Sequence, residues 1–417
     1  MAEEKVGYRW WVLTNSFLVF TFAFGMGWTY IVMAVSQVMA DLDLTLTAWG
    51  QLWAAVSFGT MLSAILGGAL GDRFGIQRIV GLGVVLMGTM LVFRATASGF
   101  ASMYAWMFLF GVALALTFPN VPKALGMWFP PEEFGLANGV TQAGYGMGAA
   151  LATVLTPLVL EPLGGWRNLT YMLGFASIGL GVLWFLTVKD RTPVEPAAGQ
   201  NEQNGQNGTD GTAAAEPTLG AVAAVKKVLR VRDVWIVAGC YMLFLGGYIG
   251  VIGYAPTYFV AEQGMTPAAS GFVISLIMWA FVAGSLLLPA LSDRVGLRKI
   301  FYFPGMLAAG ICMLLAAYAT GTSLWLVALV WGFTGGVASI AFVVPLEMDG
   351  VGPLLAGSAV GVALTAGYLG GVLSPMIGMS LVGMNPVAGF AFWGGCYALS
   401  ACLFLMLKET GPRAQQE

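Results

Sequence analysis

Gly68-Ala69-Leu70-Gly71-Asp72-Arg73-Phe74-Gly75-Ile76-Gln77-Arg78 and Pro289-Ala290-Leu291-Ser292-Asp293-Arg294-Val295-Gly296-Leu297-Arg298-Lys299 are two copies of one charged phrase, each set between long apolar stretches. The Asp-Arg-x-Gly turn recurs 221 residues later, from position 72 to position 293, so one half of the chain repeats the other. Two further pairs keep the same order. Val121-Pro122 is echoed by Val344-Pro345, and Ala143-Gly144-Tyr145-Gly146-x-Gly148 by Ala366-Gly367-Tyr368-x-Gly370-Gly371.

The composition points to a membrane. Hydrophobic residues make up 58% of the chain and charged ones 9%, against about a quarter charged in an average soluble protein. A helix needs about 20 apolar residues to cross the hydrocarbon core. Such stretches predict twelve spans: 10–38, 47–70, 76–97, 101–128, 134–161, 167–188, 233–260, 267–291, 297–319, 323–347, 354–382 and 387–408. The first has no small-residue cleavage site soon after it and is read as a retained helix. Lys5, Arg9, Arg73, Arg78, the 189–232 stretch, Arg294–Lys299, Lys408 and Arg413 then share one side, with only Arg94 and Arg167 on the other. Positive charge stays inside, so both termini are expected in the cytoplasm.

Residues 189–232 read as a linker between an N-terminal half, 1–188, and a C-terminal half, 233–408, with 409–417 as a cytoplasmic tail. Pro193 to Gly220 is too poor in large apolar residues to build a core and is expected to be disordered. Val222–Arg232 mixes Lys226, Lys227, Arg230 and Arg232 with valines and a leucine, as a helix on an anionic leaflet would.

Several chemistries are excluded. With no histidine there is no His-based metal site, shuttle or triad. A net charge of −2 offers no basic surface to nucleic acid. The four cysteines sit in apolar segments without a CxxC pair. Nothing assembles a nucleophile with a base, so no enzyme, metal or cofactor is expected.

The repeated loop, the twelve spans and the central linker together resemble the major facilitator superfamily of transporters over essentially the whole chain. That resemblance implies an all-α fold of two pseudo-symmetric six-helix halves, with substrate bound between them near the midplane and carried by rocking of the halves. It also implies a bacterial or archaeal inner membrane, a monomer, a small-molecule substrate and the lipid bilayer as partners, and protons as a candidate coupling ion. In the family the loop acid packs against the start of the eleventh or fifth helix and closes the cytoplasmic side. Asp72, Arg73, Arg78, Asp293, Arg294 and Arg298 are therefore gating candidates. The first copy has Ile76 and Gln77 where the family has bases, which weakens that lock.

Intramembrane charge is functional by default. Lys123, in Phe118-Pro119-Asn120-Val121-Pro122-Lys123, is read either as the charge that attracts an anion or as a gate paired with Glu347 or Asp349. Snorkelling to the headgroups is the structural alternative, and it is the favoured reading for Arg94. If protons are coupled, Glu347 is the carboxylate nearest the membrane. Asn120, Gln142, Tyr145, Trp28, Tyr30, Tyr254, Trp279 and Tyr368 complete the candidate site, since Tyr and Trp give an apolar wall with a polar tip.

Absences narrow the substrate. The first span has no acid, as proton-coupled multidrug carriers would, and no ExxER phrase, as peptide symporters would. The second and eighth spans lack the arginines of nitrate permeases, and no Pro-Glu-Ser-Pro-Arg follows the sixth as in sugar porters. Trp128-Phe129-Pro130, Gly135-Leu136-Ala137-Asn138-Gly139 and Gly165-Trp166-Arg167 are similar to phrases of bacterial oxalate–formate, monocarboxylate and cyanate–nitrate-like porters. The expectation is a small anion carrier, with a neutral or amphipathic solute as the alternative and a non-cycling receptor or scaffold as the third.

Overall fold

The computed structural model describes residues 2–190, 226–348, 350–411 and 413, and every regular element there is a helix. The readings of a disordered stretch, of the segment before Lys226 and of Asp349 as a gate lie outside the described residues. The helices are α1 (Gly7–Met33), α2 (Leu46–Phe74), α3 (Ile76–Ala95), α4 (Phe100–Trp128), α5 (Pro131–Val159) and α6 (Trp166–Thr187). After the linker come α7 (Arg232–Ala261), α8 (Pro267–Val295), α9 (Lys299–Ala316), α10 (Gly321–Pro345), α11 (Gly352–Val382) and α12 (Ala388–Phe404).

Among the described residues, nine of these are long and apolar enough to cross a membrane, and α2 makes a tenth if its 50° bend near Leu66 is one span. The chain is thus an all-α multi-pass membrane protein. Two of the expected spans fall short of that test: α12 has 17 residues, and α5 carries Glu132, Glu133, Asn138 and Gln142.

Local chemistry sets the ends. Thr45 and Thr266 cap α2 and α8 by accepting from the backbone N–H of Ala48 and Ala269. The duplicated phrase ends those same helices. Gly75 and Gly296 adopt φ of +92° and +78°, a region a side chain disfavours, so the phrase is a helix stop followed at once by a new helix.

The helices before the linker pack mainly on one another, α1 on α5, α2 on α4 and α3 on α6. After it, α7 lies on α11, α8 on α10 and α9 on α12. The repeated glycines explain the closeness. A methyl on Gly148 of α5 would strike the Thr21 carbonyl of α1, and one on Gly370 of α11 would strike that of Met242 on α7. The first helix is less regular than its sequence suggests, with π geometry over Val19–Met26 and 3-10 geometry over Tyr30–Met33.

Candidate functional site: a central aromatic cavity and its closures

Connections α2–α3, α4–α5, α8–α9 and α10–α11 share one side of the molecule with the helix ends flanking the linker. That linker side and the opposite, far side differ in how the two helix groups meet. On the far side they are sewn together. The stacked indoles of Trp49 and Trp53 donate to the carbonyls of Gly253 and Ile249 on α7, at 3.0 and 2.8 Å. Gly50 approaches Met379 and Pro375, and Gly271 lies against Thr153, so closely that an added methyl would collide. Toward the linker side, a methyl on Gly135 or Gly139 of α5, or on Gly357 or Gly361 of α11, would meet nothing. The space between the groups therefore opens toward the linker side.

Within it lies a cavity of about 360 Å³. One wall comes from the first group: Phe24 stacks on Tyr145 at 4.4 Å and on Trp28 at 5.7 Å, with Phe118 edge-on. The facing wall comes from the second, where Phe244 stacks on Phe281 and Tyr248, beside Tyr241. The Tyr145 and Tyr248 side chains, one from each group, face the same space, with Tyr241 and Tyr368 close by. Tyr145 and Tyr368, related by the sequence repeat, both line this space, as do Gln142, Ser285 and Ser339. No lining residue is charged. The buried Trp28 Nε1 has no partner among the described residues.

The structure thus gathers Trp28, Gln142, Tyr145 and Tyr368 and leaves the other candidates outside. Trp279 is 44% exposed on the outer surface, because its neighbour Met278 takes the inward face of α8. Tyr30 hydrogen-bonds Thr170 at 2.8 Å inside the first group. Tyr254 donates to the Pro386 carbonyl and packs on Phe390 and Trp393. Asn120 donates to the carbonyls of Gly67 and Leu116 at 2.8 Å, tying α4 to α2.

Lys123 is not opposite Glu347. Its Nζ lies 2.5 Å from Asp72 and donates to the Gly68 carbonyl, within a turn of the repeated loop. Glu347 is held instead by the Arg298 Nε and Nη2 and by Thr410. Each charge is satisfied inside its own helix group because the linker side is open. For the same reason Asp72 and Asp293 contact their own groups and not α11 or α5. Arg94 does not snorkel. It is fully buried with its guanidinium 5.0 Å over the Phe110 ring, a cation–π contact that keeps it between α3 and α4. Arg73 lies over Phe74, while Arg78 is exposed.

The two loops are built alike and charged differently. Asp190 accepts from the backbone N–H of Gln77, and Glu409 from those of Arg298 and Lys299, so each carboxylate caps the helix after the loop. The backbone N–H of Arg413 also donates to the Gly296 carbonyl, at 3.2 Å. In the second loop Arg298 bridges Asp293 and Glu347 with its side chain only 3% exposed. Burial works to lower its pKa, but bonds and charge from Glu347 and Asp293 outweigh that and raise it. In the first loop Gln77 stands in the place of Arg298, and Lys123 supplies the base from α4, in a pair whose side chains are 36% and 66% exposed.

Comparison with known proteins fits this architecture. The chain is 26% identical to "Probable anion transporter 3, chloroplastic" of Arabidopsis thaliana, over 92% of this chain and 77% of that protein. It is 25% identical to "Probable galactarate/D-glucarate transporter GudP" of Bacillus subtilis (strain 168), over 99% and 94%. Its fold matches the crystal structure of a bacterial homologue of the human lysosomal transporter Spinster in an inward-facing, unoccupied conformation. The TM-score there is 0.73 at 16% identity, over 96% of this chain and 95% of that one. The Major Facilitator Superfamily model matches residues 17–375; with the duplicated loops and the cavity between two helix groups, the chain belongs to that superfamily of transporters.

Proposed function

We propose that this protein is a secondary transporter that carries a small anion by alternating access, binding it in the aromatic cavity. The carrying observation is the lining itself. Hydrogen-bond donors converge from both helix groups, with no carboxylate among the lining residues to repel an anion. The relatives' names, an anion transporter and a galactarate/D-glucarate transporter, support the same reading.

In this account all twelve helices span the membrane in two six-helix halves, 1–188 and 233–408, and the linker side is cytoplasmic because lysines and arginines crowd it. The state described here is then open to the inside. The transporter works as a monomer in a bacterial or archaeal inner membrane, since each cavity is complete within one chain. Lys123 leaves the substrate site and becomes, with Asp72, a tie that steadies the first loop. Glu347 is held by Arg298 and Thr410 and does not line the cavity.

The test is thermal stabilisation of the purified protein by a panel of small carboxylates and inorganic anions and their neutral isosteres. A ligand that binds only the folded state raises the melting temperature with the logarithm of its concentration over Kd. Stabilisation by anions, retained in Lys123→Ala, is expected. The same uncharged lining favours a second reading, a neutral or amphipathic solute; stabilisation by neutral compounds alone would establish it and end the anion account.

A further inference from the structure

The chemistry of the cavity goes further than "anion" and selects among anions. Two features decide it: how many hydrogen bonds the walls can give, and what rings they present.

An ionised carboxylate offers about four lone-pair positions, and a dianion about twice that. The donors at hand are few. Tyr145, Tyr248, Tyr368 and Ser339 each bring a hydroxyl to the lining, and Gln142 an amide. Ser285 is engaged, donating to the Val282 carbonyl. None of the lining residues is a cation. One carboxylate can be hydrogen-bonded by this set, whereas a second would double the buried charge with no counter-charge beside it, which apolar surroundings penalise heavily. A chain of hydroxyls fares no better, because the remaining walls are rings and aliphatic side chains.

The walls are rich in rings. Those of Phe24, Trp28 and Tyr145 stack in one panel, and those of Phe244, Phe281 and Tyr248 in another, one from each helix group. Aromatic rings from both groups suit an aromatic, polarisable guest. The volume of about 360 Å³ lies at the small end of ligand pockets.

We propose that the cavity takes a flat, apolar monocarboxylate, an aromatic or conjugated acid bearing one ionised carboxylate, and turns away dicarboxylates and polyhydroxylated acids. This rests on the anion reading above. The carboxylate sits between the hydroxyls of Tyr145 and Tyr248, with Gln142 and Tyr368 completing its hydrogen bonds, and the body lies among the rings of the two panels. Because those two tyrosines come from different helix groups, a carboxylate there also links substrate binding to the movement of one group against the other.

The experiment uses the full-length protein in detergent and in liposomes, with four probes: benzoate, terephthalate, D-glucarate and benzamide. Melting-temperature titrations give Kd, and competition against benzoate counterflow gives the order in the membrane. The expected order places benzoate at least about tenfold tighter than the other three, the worth of one or two hydrogen bonds to a charged group. Tyr145→Phe and Tyr368→Phe, which keep a ring at each position, should each weaken benzoate by about tenfold. Tighter binding of terephthalate or D-glucarate overturns the monocarboxylate class and leaves the anion reading standing. Benzamide matching benzoate overturns both. No response to benzoate, from a sample that melts cooperatively, also ends the proposal, as does unchanged benzoate binding in both variants.

Discussion

Replacing Gly253 by alanine adds one methyl group at the contact that closes the far side. A Cβ there falls 2.6 Å from both Cδ1 and Nε1 of Trp53, where carbon contacts prefer about 3.5–4 Å. The indole has to retreat by about 1 Å. In doing so it loosens its own bond to the Ile249 carbonyl and disturbs the neighbouring bond from Trp49 to Gly253. Overpacking of this kind costs about 1–3 kcal/mol, and only the state in which α2 touches α7 bears it. The backbone of Gly253 is ordinary helix, where alanine is favoured over glycine by about 1 kcal/mol, so the fold itself does not suffer. A bias of 1–3 kcal/mol moves a two-state equilibrium by about 5- to 150-fold, here toward opening on the far side.

Spin labels at Thr47→Cys and Glu262→Cys, exposed at the far-side ends of α2 and α7, would read this as a distance. Cys240, Cys312, Cys396 and Cys402 are first replaced to leave only those labels. A short distance in the parent and a new, longer population in Gly253→Ala are expected. An unchanged distance distribution, with unchanged uptake, would refute the assignment of Trp49 and Trp53 as the closure.

Other outcomes follow from the same geometry. Glu347→Gln strips the buried Arg298 of its bidentate partner and should cost about 3 kcal/mol, the lower end for a broken buried pair because Asp293 remains. Asp72→Asn breaks an exposed pair and should cost under about 1 kcal/mol; melting temperatures in detergent compare the two. Trp279→Ala should leave the substrate Kd unaltered, because the side chain faces outward, whereas Tyr145→Phe removes a hydroxyl from the cavity lining and should raise it about tenfold. Affinity for a strong-acid anion such as benzenesulfonate should be flat from about pH 6 to about pH 8, since no lining residue is a carboxylate, and tyrosines ordinarily ionise near 10. A slope there would point to a titrating partner outside the cavity.

Much of this was legible in the sequence, because repeats and turns are local signals. The Asp-Arg-x-Gly phrase announces a helix stop that only glycine makes easily, and Gly75 and Gly296 are those stops. The Ala-Gly-Tyr repeat placed Tyr145 and Tyr368 as equivalents, and both line the cavity. What failed was direction around a helix. Trp279 and Met278 are neighbours that face opposite ways, and in an apolar span both look alike, since lipid and core prefer the same side chains. Lys123 misled for a related reason: a cation within reach of the Asp72 loop is satisfied there first. The far-side closure had a faint signal, Trp49 and Trp53 one turn apart on α2. Their partners are the carbonyls of Gly253 and Ile249, on a helix distant in sequence. Phe24, Phe118, Phe244 and Phe281 carried none, because phenylalanine is ordinary in any span.

The most direct test of the central claim is anomalous diffraction from crystals grown with 4-bromobenzoate. The account predicts bromine density between the Phe24 and Phe244 panels, with the carboxylate at the hydroxyls of Tyr145 and Tyr248. Bromine beside Lys123 and Asp72, or an empty cavity at saturating ligand, would contradict it.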